Sequence, residues 1–154
     1  MKFEGQLAVP APREVVFDRL KDARFFASCI DGVSDLSQVT PTHYSAIFKT
    51  KIAYIRFQFE VAVELTQAER PVAIAAKIEG KPHGIVGRLS ATSSATFEET
   101  AGETVIHYAI EASLTGRLGS IGQPVLKSKA KEMERQFVEN LRAGFAGGAA
   151  AAMP

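Results

Sequence analysis

Apolar and polar side chains alternate along Lys2–Val9. Phe3, Gly5, Leu7 and Val9 share one face, and Lys2, Glu4, Gln6 and Ala8 the other. That period of two predicts a half-buried strand. Pro10 and Pro12 end it, and the fixed φ of Pro12 suits the first turn of a helix. Val15, Val16, Phe17 and Leu20 then fall at helical spacing within Arg13–Lys21. A second short helix is predicted over 24–28, before Ile30-Asp31-Gly32 turns the chain. From 33 to 115 the period returns to two. Tyr44, Ala46, Phe48 and Thr50 share a face, as do Val72, Ile74, Ala76 and Ile78, and Ala91, Ser93, Ala95 and Phe97. The longest alternation sets Ile55, Phe57, Phe59, Val61, Val63 and Leu65 against Arg56, Gln58, Glu60 and Glu64. A last strand carries Thr104, Ile106, Tyr108, Ile110, Ala112 and Leu114 after the hairpin signal Ala101-Gly102.

Beyond 115 the spacing changes to three and four. Leu118, Ile121, Gly122, Val125, Leu126, Ala130, Met133, Phe137 and Leu141 form one stripe, with Lys127, Lys131, Glu132, Arg135 and Glu139 opposite. This predicts a single long amphipathic helix, beginning between 116 and 120 and bent around Pro124. Consecutive strands with turn-length links, closed by a helix, imply an α+β fold with a curved antiparallel sheet of six to seven strands. One helix has too narrow an apolar stripe to seal such a sheet. A hydrophobic cavity between the two is therefore expected, the kind of place where small ligands bind. The same side chains could instead fill the space.

With 154 residues, 46% of them hydrophobic, the chain can bury a core without disulfides. Residues 1–143 read as one domain, and the Ala/Gly-rich 144–154 as a disordered tail. The lone Cys29 excludes a disulfide framework and any cysteine-based zinc site. Eighteen basic against seventeen acidic residues leave a net charge of +1, which argues against a nucleic-acid partner. No apolar run is long enough to span a bilayer and the N-terminus lacks a signal-peptide core, so a cytoplasmic protein is expected.

No catalytic set emerges. His43, His83 and His107 stand alone, without partners at metal-ligand spacing, so no metal is expected. Cys29 has no neighbouring base and reads as a half-buried wall residue. Arg56, Glu60 and Glu64 read as an exposed ion-pair row. Gly116, Gly119 and Gly122 follow the last strand instead of opening a βαβ unit, so they suggest a hinge or a close helix–sheet approach, not a phosphate cradle. The residues whose parity points toward the helix, with the helix stripe itself, are the cavity candidates: Phe48, Phe57, Phe59, Ile78, Phe97, Tyr108, Ile121, Val125 and Met133. Ile30 and His83 are placed at the cavity mouth. No cofactor is expected beyond an apolar ligand.

The layout resembles the helix-grip, or START-like, superfamily. Within it the chain resembles the CoxG family of carbon monoxide dehydrogenase over about residues 1–143. The resemblance rests on Met1-Lys2-Phe3-Glu4-Gly5 with Val9-Pro10-Ala11-Pro12, on Cys29-Ile30-Asp31-Gly32, on Gly116-Arg117-Leu118-Gly119-Ser120-Ile121-Gly122, and on the helix end Phe137-Val138-Glu139-Asn140-Leu141. Asp31 stands where that family commonly has Pro. The resemblance implies a non-catalytic accessory protein that binds a hydrophobic small molecule such as a quinone. It also implies a molybdenum hydroxylase of the carbon monoxide dehydrogenase type as partner and weak attachment to the inner face of the membrane. The oligomeric state is left open by the sequence, and the edge strands of such a sheet allow a homodimer. The alternative on the same fold is an enzyme of the polyketide cyclase or dehydratase kind, which needs a His, Tyr or Arg beside a carboxylate inside the cavity.

Overall fold

A computed structural model describes the backbone of residues 1–151 and the side chains of residues 1–145. Strand β1 (Lys2–Val9) leads through helices α1 (Arg13–Lys21) and α2 (Ala23–Ser28) to six strands: β2 (Val33–Thr40), β3 (His43–Ile52), β4 (Ile55–Glu69), β5 (Ala73–Pro82), β6 (Gly87–Thr100) and β7 (Glu103–Thr115). Helices α3 (Gly116–Gly119) and α4 (Gln123–Ala151) follow. The strands form one antiparallel sheet in the order β1-β7-β6-β5-β4-β3-β2.

Local chemistry explains the punctuation. The Asp22 side chain accepts from the Arg24 N–H at 2.9 Å and so caps α2. The β3–β4 and β6–β7 hairpins turn on two residues of positive φ, Ala53-Tyr54 (51° and 70°) and Ala101-Gly102 (53° and 77°), the geometry that matches strand twist. In the first of these no glycine relieves the backbone, so the long strand pairing on either side must hold it.

Register places the apolar parity of every strand on one face. Phe48 lies opposite Phe59, Val63 opposite Ile78, Ile78 opposite Ala91, Ala91 opposite Ala112, and Tyr108 opposite Gly5. Two clusters bury the ends of that face. The first gathers Leu7, Val9, Val16, Phe17, Phe97, Ile106, Leu141 and Phe145; the second gathers Ile52, Phe57, Phe59 and Leu118. Each fully buried side chain of this size contributes about 1.5–3 kcal/mol. Thr104, wholly buried, donates its hydroxyl to the Ala11 carbonyl beside the first cluster at 2.7 Å.

The C-terminal helix differs from the single bent helix expected. Gly122, at φ 108°, breaks the chain between α3 and α4, because a left-handed residue cannot continue a right-handed helix. Pro124 then sits in the first turn of α4, where its missing N–H costs nothing. The helix also runs past 143. Phe145 is 2% exposed and meets the edge of Phe25 at 5.6 Å. Residues 152–154 of the tail expected to be disordered lie outside the described residues.

Candidate functional site

Between the two clusters α4 does not seal the sheet. Val61 and Val63 on β4, Ile78 on β5, Ala91 and Ser93 on β6, and Ile110 and Ala112 on β7 all point inward and all remain partly exposed. Helix α4 is held at its far end by Leu141 and Phe145, and near its start through Leu118 and Ile121 of the preceding segment. Two hollows result. The larger, about 620 Å³, opens where β1 begins opposite the end of β7, and Ala91, Ala112, Leu114 and Leu126 form its apolar wall. Lys77, Glu79, Ser90, Thr92, Glu111 and Ser113 also line it. They pair with one another at the parity opposite to Ile78, Ala91 and Ala112, so this side of the hollow is polar and belongs to the outer face, where the Ser90 hydroxyl donates to Glu79 at 2.9 Å. The smaller, about 190 Å³, lies among Cys29, Ile30, Gly32, Phe48, Lys129 and Met133.

A polar pair crosses the gap. The Tyr108 hydroxyl donates to Glu134 Oε2 of α4 at 2.6 Å. The Tyr108 ring lies across β1 at Gly5, where a Cβ would stand 2.6 Å from the ring carbon bearing the hydroxyl, so a larger residue there would have to push the ring, and with it the bond to Glu134, aside. Burial first, then the bond to Glu134 and its negative charge, push the Tyr108 phenol up to about 12. The phenol is therefore a neutral donor at physiological pH, and the pair offers acceptor oxygens to a hydroxyl in the gap. The folded-state value lies above the usual 10, so this group's contribution to stability is intact below pH 10 and declines as pH climbs toward 12. A Tyr108→Phe variant should lack the highest tyrosinate step in a 295 nm titration and lose less stability across that window. An unchanged titration curve would refute the assignment.

The segment before β2 is tied down from two sides. Asn140 Nδ2 donates to the Cys29 carbonyl at 3.0 Å and approaches Asp31 Oδ1 at 3.5 Å. The Lys49 N–H donates to the Gly32 carbonyl at 2.9 Å. Gly32 has φ 94°, and a Cβ there would strike the Lys49 carbonyl, so only glycine lets this segment lie on β3. Cys29 is 2% exposed, deeper than the half-buried position expected, and burial pushes its thiol up, away from thiolate chemistry.

The cavity candidates part company in the structure. Phe48, Met133 and Ile30 line the smaller hollow. Phe57 and Phe59 are buried in the second cluster, stacked at 6.1 Å, with Phe48 against Phe59 at 6.0 Å. Phe97 is buried in the first cluster, edge-on to Phe17. Ile78 lies on the partly exposed inner face, and Ile121 packs on the second cluster. Val125 is 37% exposed and lines neither hollow; the break at Gly122 resets the helical phase, so Leu126 takes the inward position instead. His83 also lines neither: it is exposed, with Nε2 3.5 Å from Glu60. Arg56, Glu60 and Glu64 are exposed on the outer face or at its margin.

The sequence reading missed Glu134, Lys129 and Asn140, and the small residues Ala91, Ala112 and Gly119. Glu134 was findable, since it lies four residues after Ala130 and three before Phe137 on the apolar stripe. Among the described residues no group of three or more His, Cys, Asp or Glu could hold a metal ion. No helix among them is long and apolar enough to cross a membrane.

Comparison with known proteins follows the same lines. A conserved protein from Geobacillus kaustophilus is similar in structure with a TM-score of 0.86 at 21% identity, covering 96% of each chain. A START superfamily protein from Mycobacterium smegmatis gives 0.72 at 9% identity, covering 95% of this chain and 97% of that one. Ara h 8.0201 gives 0.70 at 11% identity, covering 96% and 98%. These likenesses establish the START-like fold. A search of curated protein sequences finds no match. The family model of CoxG, the G subunit of carbon monoxide dehydrogenase, matches residues 5–145, nearly the whole length, and the chain belongs to that family.

Proposed function

We propose that the chain is a non-catalytic accessory protein that holds an apolar small molecule, a quinone in the reading favoured here, between the sheet and α4. It serves a molybdenum hydroxylase of the carbon monoxide dehydrogenase type at the inner face of the membrane. One observation carries the binding role: inward apolar side chains on the four middle strands stay partly exposed beneath α4, which packs on the first cluster through Phe137, Val138, Leu141 and Phe145 and crosses the gap through the Tyr108–Glu134 bond. Of the inward strand residues, Ala91 and Ala112 line the hollow of about 620 Å³ beside Leu114 and Leu126; an apolar occupant would cover that surface, and the volume falls in the range of small-molecule sites. Tyr108 and Glu134 offer acceptors to a ligand hydroxyl such as that of a reduced quinone. The family name supports the partner.

Thermal denaturation with a short-chain quinone tests this. A ligand at 100 times its dissociation constant adds about 2.7 kcal/mol of stability, or about 5–10 °C in Tm for a chain of this size. Absence of any shift, together with no apolar ligand co-purifying in native mass spectrometry, would sink the carrier reading. The Tyr108–Glu134 pair also favours a second reading, a cyclase or dehydratase, because it sets a proton-bearing phenol beside a carboxylate inside the gap. Turnover of a polyketide-like substrate, lost in Tyr108→Phe, would select it.

A further inference from the structure

The polar groups between the sheet and α4 are of one kind. Register puts every Lys, Arg and His of the seven strands at the parity that faces away from α4, so the inner face of the sheet presents no cation. Among the described residues of α4, Lys129 is the only basic side chain that is partly buried. It lines the smaller hollow, with Glu132 3.4 Å from its Nζ. The partly buried carboxylate of Glu134 therefore meets no cation across the gap. Its one partner among the described residues is Tyr108, whose hydroxyl donates to Oε2 at 2.6 Å. That bond uses the only proton the phenol has, and it leaves Glu134 Oε1 free to accept. In the middle of the inner face, Ser93 adds one neutral hydroxyl opposite Ile110.

Sheet and helix agree on how far this pair stands from the larger hollow. Tyr108, Ile110 and Ala112 follow one another on the inner face of β7, and four residues of strand span about 13 Å. On α4, Glu134 lies two turns beyond Leu126, about 12 Å of helix. Ala112 and Leu126 both wall the hollow. A molecule whose tail lies in the hollow thus reaches the Tyr108–Glu134 pair with its head.

Such a head meets acceptors. A hydroxyl donates to Glu134 Oε1, and a hydrogen bond to an ionised group is about twice as strong as one between neutral groups. A carbonyl sets lone pair against lone pair there and is left with Ser93 as its donor. A carboxylate head brings a second negative charge into a space without a cation, and that repulsion grows as water is excluded.

We propose that the gap selects its ligand by the polarity of the head: a neutral hydroxyl-bearing group, so the reduced form of a quinone in preference to the oxidised one, and either in preference to a fatty acid. Glu134 is the residue that sets the preference. This rests on the carrier reading above and names the head that the carrier takes. A protein with this preference holds the product of a two-electron, two-proton reduction of quinone more firmly than its substrate.

Anaerobic isothermal titration calorimetry of the full chain with four ligands sharing one short tail is the test: an alkyl hydroquinone, its quinone, its dimethyl ether and the matching alkyl benzoate. The hydroquinone is expected to bind about tenfold or more tighter than the quinone or the ether, the margin of a hydrogen bond to a charged group, and the benzoate to bind most weakly. In Glu134→Gln the ratio of hydroquinone to quinone affinity should fall to near one. Tyr108→Phe, which keeps the carboxylate, should retain the preference. Glutamine preserves the length of the side chain and an oxygen for the Tyr108 hydroxyl; should that variant fail to fold, the wild-type series still decides whether the preference exists. Equal affinities for hydroquinone, quinone and ether, or tightest binding by the benzoate, overturn the selectivity and leave the carrier standing. A ratio unchanged in Glu134→Gln overturns the role of Glu134. Binding of none of the four overturns the carrier reading itself, and this proposal with it.

Discussion

Phe17→Ala is expected to cost about 3–5 kcal/mol, the upper range for a truncated core aromatic. Phe17 is 1% exposed, and it joins α1 to the sheet by meeting the edge of Phe97 at 5.9 Å and 80°. Such a pair adds about 0.5–1.5 kcal/mol beyond the area it buries. Its other cluster neighbours, Leu7 and Val9 on β1, Ile106 on β7 and Leu141 on α4, come from separate elements that the sheet ladder and the helix axis hold in place. The vacated space therefore cannot collapse cheaply. Phe26→Ala is the control: Phe26 is 40% exposed and touches Phe137 in a tilted contact at 5.2 Å, so about 1 kcal/mol or less is expected. Urea denaturation of both variants reads the difference. Equal losses would show that α1 is not anchored through this cluster.

The fold could be read from periodicity because both periods are long and clean. Along β4 (Ile55–Glu69) the alternation runs without interruption as far as Leu65, and one face of the sheet must be buried, so a slipped register would expose the whole apolar set. What the pattern hid was the break between α3 and α4. Leu118, Ile121 and Leu126 satisfy helical spacing across it, since Leu118 and Ile121 belong to a tight turn that packs on the second cluster. Gly122 at φ 108° ends that turn, and spacing alone does not register a change of helical phase.

The site was less legible for a different physical reason. Aromatic bulk suggests a cavity along the strands, yet large rings satisfy one another: Phe48, Phe57 and Phe59 stack, and Phe17 meets Phe97. Space is left where side chains are small. Ala91 faces Ala112 across β6 and β7, Gly119 ends α3, and the larger hollow lies among them. Glu134 escaped notice because a carboxylate on an apolar stripe reads as a solvated residue until its Tyr108 partner is known.

Filling that space gives the sharpest test of the binding role. Ala112→Phe places a phenyl ring on the inner face of β7, opposite Ala91 and toward Leu126. In a packed core such an insertion costs about 1–3 kcal/mol; into an open hollow of about 620 Å³ it should cost less, because no packed side chain has to move aside for the ring. The expected outcome is a Tm close to wild type without ligand, and a quinone-induced rise that falls from about 5–10 °C to near zero. Phe57→Leu supplies the contrast: Phe57 is 8% exposed in the second cluster, so it should lower stability by about 1–2 kcal/mol while leaving the quinone shift in place. If Ala112→Phe kept the full shift, the ligand would have to lie elsewhere, with the smaller hollow beside Met133 the next place to fill. Should the variant instead lose several kcal/mol before any ligand is added, the interior would be a filled one, and the chain an adaptor with no space to carry anything.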